Sequence, residues 1–409
     1  MIEILFLSGE DVDELALTNG EVLVAVEASL RAQGEGKVVL EPREHLVPDP
    51  AFRGHFNLLR AYIAPLGVAG VKVVGDYIDN WKLGFPSELA LLTLYDPRTG
   101  VPRAILDATE ITERRTGAMT ALGARHLARQ EARILGHVGA RGTAFANVTM
   151  LDHLFHFEEI RVTSARPESR EAFGSALERA LGKPVRVVDT WREVVEGADI
   201  VVEATRLAEP KPLLCTEWIK PGALVVPYGT MSAVELSLTS IMDKIVVDDW
   251  GQCRKGRFGS LRAHVDEGLL SKESLHAELG EIIAGKKPGR ERDDETILFW
   301  HRGLATTDRG RPRALRASSR ARDRHDAPVS LGLERSRSPS TSIASVLRLA
   351  PVNLERPPAA NVRYPDARDA HGRRRTRRHT RRSTRGRRRG RGRNDHSHLA
   401  ARGGQGSDR

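Results

Sequence analysis

The chain has 409 residues and a formal net charge of +10, a length that accommodates two domains with substantial cores. The charge is unevenly placed: residues 309–409 hold 28 Arg, no Lys and 8 acidic residues, whereas residues 1–308 hold 36 basic and 46 acidic residues, so the body itself is acidic. The two cysteines, Cys215 and Cys253, lie far apart without metal-ligand spacing, so neither a disulfide framework nor a zinc site is suggested and a reducing cytoplasm fits, and no apolar run approaches the ~20 residues a membrane helix needs.

Residues 2–7 read as a strand, and this acidic start lacks the basic region of a signal peptide. Ser8-Gly9-Glu10-Asp11 caps a helix ending near Thr18. An amphipathic helix follows over 20–33, with Leu23, Val26 and Leu30 on one face. Strand patterns come next at 38–40, 56–59, 61–64, 68–74 and 89–95. The last turns through Asp96-Pro97-Arg98-Thr99-Gly100 onto 102–106 as a hairpin. Residues 1–128 therefore form a mostly antiparallel α+β domain. Its closing helix, over 118–127, is rich in small residues (Ala118, Ala121, Gly123, Ala124) and is built for close packing on a neighbour or a cofactor.

From residue 129 strands alternate with helices. Residues 133–138 form a short apolar strand, then Gly139, Ala140, Arg141, Gly142 and Thr143 lead into a helix ending near Phe155. Glycines permit a tight turn and close backbone approach, and a helix opening there aims free N–H groups at a phosphate. The motif is G-x-x-G-x-A, with Arg141 where a second close-approach glycine is usual, and by itself it equally suits any strand-to-helix turn of an α/β protein. The context decides. Strands at 159–164, 185–188, 199–205, 222–227 and 244–247 and helices at 167–180 and 190–197 give a doubly wound, Rossmann-type dinucleotide-binding domain over 129–285. Ser164, 25 residues beyond Gly139, stands with Arg166 where a ribose-reading carboxylate would be expected. A Ser and an Arg suit a 2′-phosphate, so NADP(H) is favoured, with NAD(H) as the alternative. Residues 261–279 look helical, and 286–308 read as a return segment towards the first domain, with a final strand at 296–300.

After Asp308 the apolar periodicity fades, and 373–393 is nearly all Arg, Gly, Thr and His. Residues 309–409 read as a disordered basic tail. Clustered guanidinium groups suit nucleic acid or polyphosphate. The arginine block holds no aromatic residue, however, and the tail has no Lys against 11 in the body. Out-of-frame translation of GC-rich coding sequence accounts for that composition better than a nucleic-acid arm does.

Gly70-Val71-Lys72-Val73, the run from Asp96 through Gly100 to Asp107, Ile111-Thr112-Glu113-Arg114-Arg115-Thr116-Gly117-Ala118 and the glycine turn together resemble the ornithine cyclodeaminase/mu-crystallin family. Pro42-Arg43, Glu203-Ala204-Thr205 and Ile245-Val246-Val247-Asp248-Asp249 add to the resemblance, which runs from about Met1 to Asp308. It implies a homodimer formed through the antiparallel domain, a nicotinamide dinucleotide on the Rossmann domain, and a small amino or cyclic imino acid in the cleft. Hydride would move between the substrate α-carbon and the nicotinamide, as in an amino acid dehydrogenase or ketimine reductase. The alternatives are a true ornithine cyclodeaminase, which turns ornithine into proline and ammonia, and a non-catalytic NADPH-binding protein. The family's last helix begins after a segment like Gly303-Leu304-Ala305-Thr306-Thr307-Asp308, where this chain turns arginine-rich.

The resemblance assigns Arg43, Lys72 and Arg115 to the substrate carboxylate, which needs cationic, forked partners. Lys72 sits within the apolar run 68–74, where an unpartnered ammonium is costly, and it is the candidate catalytic residue. Asp107 and Glu113 are candidates to orient these bases. Thr116 and Thr205 are placed against the cofactor, Thr205 at the nicotinamide ribose, and Gly139, Ala140, Arg141, Gly142 and Thr143 around the pyrophosphate. Cyclodeaminases carry an Asp in a Gly-Gly-Asp-like loop; here the loop reads Pro227-Tyr228-Gly229-Thr230-Met231-Ser232, without a carboxylate. Thr230 cannot replace a carboxylate base. Glu235 and Asp249 are the candidate substitutes, and the loss argues for imine reduction over ammonia elimination.

Overall fold

A computed structural model of the chain describes residues 2–140, 142–207, 209–256 and 258–308, all within one compact unit. The expectations for Arg141 at a phosphate, and for the tail 309–409 as disordered, out of frame or nucleic-acid-binding, lie outside the described residues.

Two sheets carry the fold. The first has six strands, β1 (Leu5–Leu7), β2 (Val38–Leu46), β3 (Gly54–Ile63), β4 (Val68–Tyr77), β5 (Glu88–Tyr95) and β6 (Pro102–Asp107), in the order β1-β6-β5-β4-β3-β2. All neighbours are antiparallel except β1 and β6. The two short strands expected at 56–59 and 61–64 are one, because Arg60 keeps its place in the ladder opposite Val71. β2 likewise runs on through Pro42-Arg43. Proline has no N–H for the ladder, and the register shifts between Glu41 and Glu44. The Arg43 N–H, freed there, donates to Gln252 Oε1 at 3.0 Å.

Register sets the faces of this sheet. Lys72 lies between Leu59 and Leu92, Val74 between Asn57 and Ala90, and Asp76 between His55 and Glu88. Successive side chains alternate, so these residues share one inner face. Leu59, Val74, Ala90 and Leu92 form part of a buried cluster there, while Val73, Leu89 and Leu91 point outward and are exposed.

The helix Asn19–Gly34 starts at a capping box made by Thr18 and Glu21 and buries Leu23, Val26 and Leu30. The helix before it is only Gly9–Asp13, shorter than expected, and Ala16 beyond it takes a left-handed φ of 43°. The helix Thr109–Leu127 joins the two sheets. A Cβ on its Gly117 would lie 2.6 Å from the Ala146 carbonyl, so the small residues serve close packing on the helix Ala144–Phe155.

The second sheet has eight parallel strands: β7 (Ile134–Val138), β8 (Glu159–Thr163), β9 (Arg186–Val187), β10 (Ile200–Glu203), β11 (Leu224–Pro227), β12 (Lys244–Val247), β13 (Ala277–Glu278) and β14 (Ile297–Trp300). Their order is β13-β12-β14-β11-β10-β7-β8-β9. β10, β11, β12 and β14 are buried along their whole length, as strands covered on both faces must be. The order reverses between β7 and β10, which places a ligand-binding crevice at their carboxyl ends. Within 261–278 only Arg262–Asp266 is helical, since Gly268 at φ 72° turns the chain out and β13 follows, and Leu279 opens a separate helix, Leu279–Ile283. β14 inserts between β11 and β12, and the chain then crosses to the inner face of the first sheet. Among the described residues no helix is long and apolar enough to cross a membrane.

Candidate active site

A cavity of about 90 Å³ opens where the carboxyl ends of β10 and β11 meet the inner face of the first sheet and the start of the helix Thr109–Leu127. Arg43, Arg115, Thr116, Thr143 and Thr205 all line it, together with Asp76, Glu88, Arg206 and Thr230.

Lys72 lies behind this wall with its side chain fully buried. Its Nζ donates to Asp308 Oδ1 at 2.5 Å and to Thr112 Oγ1 at 3.1 Å. Burial, with Arg115 beside it, pushes its pKa down to about 7, against the pull of Asp308. Arg115 Nε is 2.8 Å from the same Asp308 oxygen, while its Nη1 is buried without a hydrogen-bond partner. Gly303 makes room for that guanidinium, because a Cβ there would collide with Nη1. Arg43 Nη2 donates to the carbonyls of Arg302 and Gly303, each at 2.5 Å, and burial lowers its pKa. Thr116 Oγ1 donates to the Thr112 carbonyl at 2.7 Å.

The glycine turn lies on the other side of the cavity. Gly139 has φ 109°, its N–H donates to the Thr163 carbonyl at 2.9 Å, and a Cβ would stand 2.8 Å from the Ala204 carbonyl. Gly142 has φ 57°, and the space a Cβ would take is bordered by Arg206 and Ser87. Only glycine fits both needs at Gly139, and the bare backbone at a switch point fits a dinucleotide. Ala140 packs on the adjoining core. Thr143 Oγ1 and the Tyr228 hydroxyl share a 2.5 Å hydrogen bond, and the Tyr228 ring stacks on His301 with centroids 4.5 Å apart. Glu203, buried at the end of β10, accepts from the Thr205 N–H and hydroxyl, from Gly229 N–H at 3.3 Å and from Ser260 Oγ at 2.7 Å. One carboxylate thus fixes the loops that border the cavity. Farther along the edge, Ser164 Oγ donates to the Arg166 carbonyl at 3.3 Å.

The carboxylates near the cavity are not the expected ones. Glu235 accepts from Thr216 N–H, and Asp249 caps the helix Trp250–Cys253; neither lines the cavity. Asp107 accepts from Thr109 N–H, and Glu113 lies on another groove, its pKa raised to about 7 by burial and by Glu88. Asp76 and Glu88, register partners on β4 and β5, instead meet in the cavity wall around Arg206. Arg206 Nη2 is 2.6 Å from Glu88 Oε1, and its Nη1 pairs with Asp76 Oδ1. Burial raises the Asp76 pKa to about 6, with Arg206 opposing.

A family model for the ornithine cyclodeaminase/mu-crystallin family matches residues 3–321. The chain belongs to that family. Among its relatives, the alanine dehydrogenase of Archaeoglobus fulgidus is 32% identical over 311 residues, covering 75% of this chain and 92% of the relative. The solved Thermococcus litoralis Δ1-pyrroline-2-carboxylate reductase, in complex with NADH and L-proline, superposes with a TM-score of 0.70 at 30% identity, covering 75% of this chain and 94% of that one. An archaeal alanine dehydrogenase dimer with bound NAD gives 0.68 at 30% identity, covering 75% and 93%.

For a member of the ornithine cyclodeaminase/mu-crystallin family, the residues that sequence reasoning missed are telling. Asp308 closes the family segment after which a last helix is expected, and nothing in that reading marks its carboxylate as a partner of Lys72. Asp76 follows Lys72 at an even spacing on a strand, a signal that puts both on one face. Nothing local in the sequence marks Arg206 or Glu88.

Proposed function

We propose that the chain is an NAD(P)H-dependent oxidoreductase that reduces a small imino acid, or oxidises the matching amino acid, at the α-carbon. The observation that carries this reading is the cavity between the glycine turn and the cations Arg43 and Arg115, with Lys72 directly behind them. Arg115 Nη1, buried and unpartnered, and Arg43 suit the substrate carboxylate. The turn from Gly139 to Thr143, with Thr116 and Thr205, would hold the dinucleotide, which supplies or accepts the hydride when bound. Lys72 holds the proton that a reduced imine nitrogen takes up, and at a pKa near neutrality it can also receive one from an amine. For this its Nζ must exchange Asp308 for the substrate. NADP(H) is favoured because Ser164 and Arg166 follow β8 without a carboxylate; the NAD(H)-bound relatives keep NAD(H) as the alternative.

Ornithine cyclodeamination stands second. The loop 227–232 offers no carboxylate, yet Asp76, with its raised pKa, borders the cavity. We also read the chain as a homodimer joined through the exposed apolar face of the first sheet, and as cytoplasmic, where Cys215 and Cys253 stay free thiols.

The test follows two signals together: ammonia from L-ornithine with catalytic NAD+ or NADP+, and NADPH oxidation with cyclic imino acids. NADPH oxidation with little ammonia is the expected result. Ammonia without net reduced cofactor would make the chain a cyclodeaminase and overturn the first reading; neither signal would leave a protein that binds the dinucleotide without turnover.

A further inference from the structure

Residues 79–88 of the antiparallel half cross the carboxyl edge of the parallel sheet and meet it at three places. Glu88 pairs with Arg206 after β10, Ser87 borders Gly142 in the glycine turn, and Trp81 lies under Arg166 after β8. The Arg166 Cζ is 4.0 Å from the centre of the Trp81 ring. Trp81 is on a short 3₁₀ turn, Asn80–Leu83, held by Asn80 Nδ2 donating to the Pro86 carbonyl at 2.9 Å. Among the described residues no carboxylate forms an ion pair with Arg166. Among the described residues its guanidinium is thus stacked on an aromatic face with no side-chain partner at its N–H edge. That edge is the part of an arginine that forks a phosphate.

We infer that Trp81 presents Arg166 to the 2′-phosphate of an NADP-type dinucleotide, so that the antiparallel half helps to choose the cofactor. The inference rests on the NADP(H) reading of Ser164 and Arg166 above. A stacked guanidinium has lost rotamer freedom before the ligand arrives, so less is lost on binding. Trp81 acts through Arg166 and is a positioning residue. NADH has no 2′-phosphate, and its affinity gains nothing from the arrangement.

The experiment titrates the full-length chain with NADPH and with NADH in the absence of substrate, read by the fluorescence of the reduced nicotinamide. Trp81→Leu is expected to weaken NADPH roughly 2- to 5-fold, the range of one exposed cation–π contact, and to leave NADH affinity unchanged. Trp81→Phe, which keeps a ring, restores most of the NADPH affinity. In an Arg166→Met background Trp81→Leu has no further effect. Equal loss of NADPH and NADH overturns the proposal, because it means that Trp81 stacks on the common adenine or only supports the fold. Additive losses from Trp81→Leu and Arg166→Met overturn it as well. A wild-type chain that prefers NADPH, with Trp81→Leu unchanged, removes the role of Trp81 and keeps the NADP(H) reading. A wild-type chain without preference removes that reading and this one with it.

Discussion

Lys72 Nζ and Asp308 Oδ1 meet at 2.5 Å, both side chains out of solvent, and Arg115 Nε reaches the same oxygen at 2.8 Å. One carboxylate thus neutralises part of two buried cations that come from different elements. Removing one member of such a group strands the others, which typically costs ~3–5 kcal/mol. Asp308→Ala should therefore lower the unfolding free energy by about 3 kcal/mol in a urea titration. A loss below about 1 kcal/mol would mean that water reaches the lysine and that the burial is incomplete.

The pH dependence of catalysis has a definite sign. Lys72 is pushed down to about 7, so it is protonated below that pH and neutral above it. Imine reduction needs the proton, and its kcat/KM, which reports the free enzyme, should fall as pH rises through about 7. Amino acid oxidation needs the free base, and its kcat/KM should rise over the same range. Asp308 holds the Lys72 pKa up, so Asp308→Asn should move both limbs to lower pH. Profiles flat from pH 6 to 9, or limbs that stay in place in the variant, would remove Lys72 as the titrating group.

Arg206 ties the two sheets together through Asp76 and Glu88. Arg206→Met would leave two neighbouring carboxylates buried without a cation, at a cost of about 3 kcal/mol. The triple variant Arg206→Met, Asp76→Asn, Glu88→Gln should recover most of that stability, since no buried charge is left unpaired. Chemical denaturation of the four proteins, wild type, the single variant, the double carboxylate variant and the triple, measures the coupling. Additive losses would show that Arg206 is solvated and not a tie.

Local pattern was enough to read the central strands of the parallel sheet from the sequence, because they carry apolar runs such as 200–202 or 224–226, whereas β13 lay in a stretch read as helical. The glycine turn was legible for a related reason: Gly139 takes a φ that other residues resist. The antiparallel half was legible as strands but not as one continuous sheet. Arg60 and Pro42 break the apolar pattern without breaking the strands, since the ladder there depends on register and not on propensity. In the site, Arg43 and Arg115 could be named from the family pattern, whereas Asp308, Arg206 and Glu88 act only through contacts between residues far apart in sequence. Such contacts leave no local trace. Glu235 and Asp249 were attractive as carboxylates near the right loop, yet both are spent on backbone N–H groups that would otherwise be orphaned.

The outer face of the first sheet makes the last prediction. Phe6, Val73, Leu89 and Leu91 are exposed there, on β1, β4 and β5, while the alternate residues of the same strands fill the core. A sheet face with this much uncovered apolar surface marks an interaction site. The archaeal alanine dehydrogenase with TM-score 0.68 is a dimer, and the homodimer proposed above for this chain would use this face. Leu91→Lys and Val73→Lys would each bury a charge at such a contact, and combined they should convert a dimer into a monomer in light scattering after gel filtration. The inner face is untouched by either change, so the monomer should keep its far-UV spectrum. A dimer that survives both substitutions would place the contact elsewhere. A wild-type chain that is already monomeric would leave this apolar face uncovered and prone to aggregate as concentration rises.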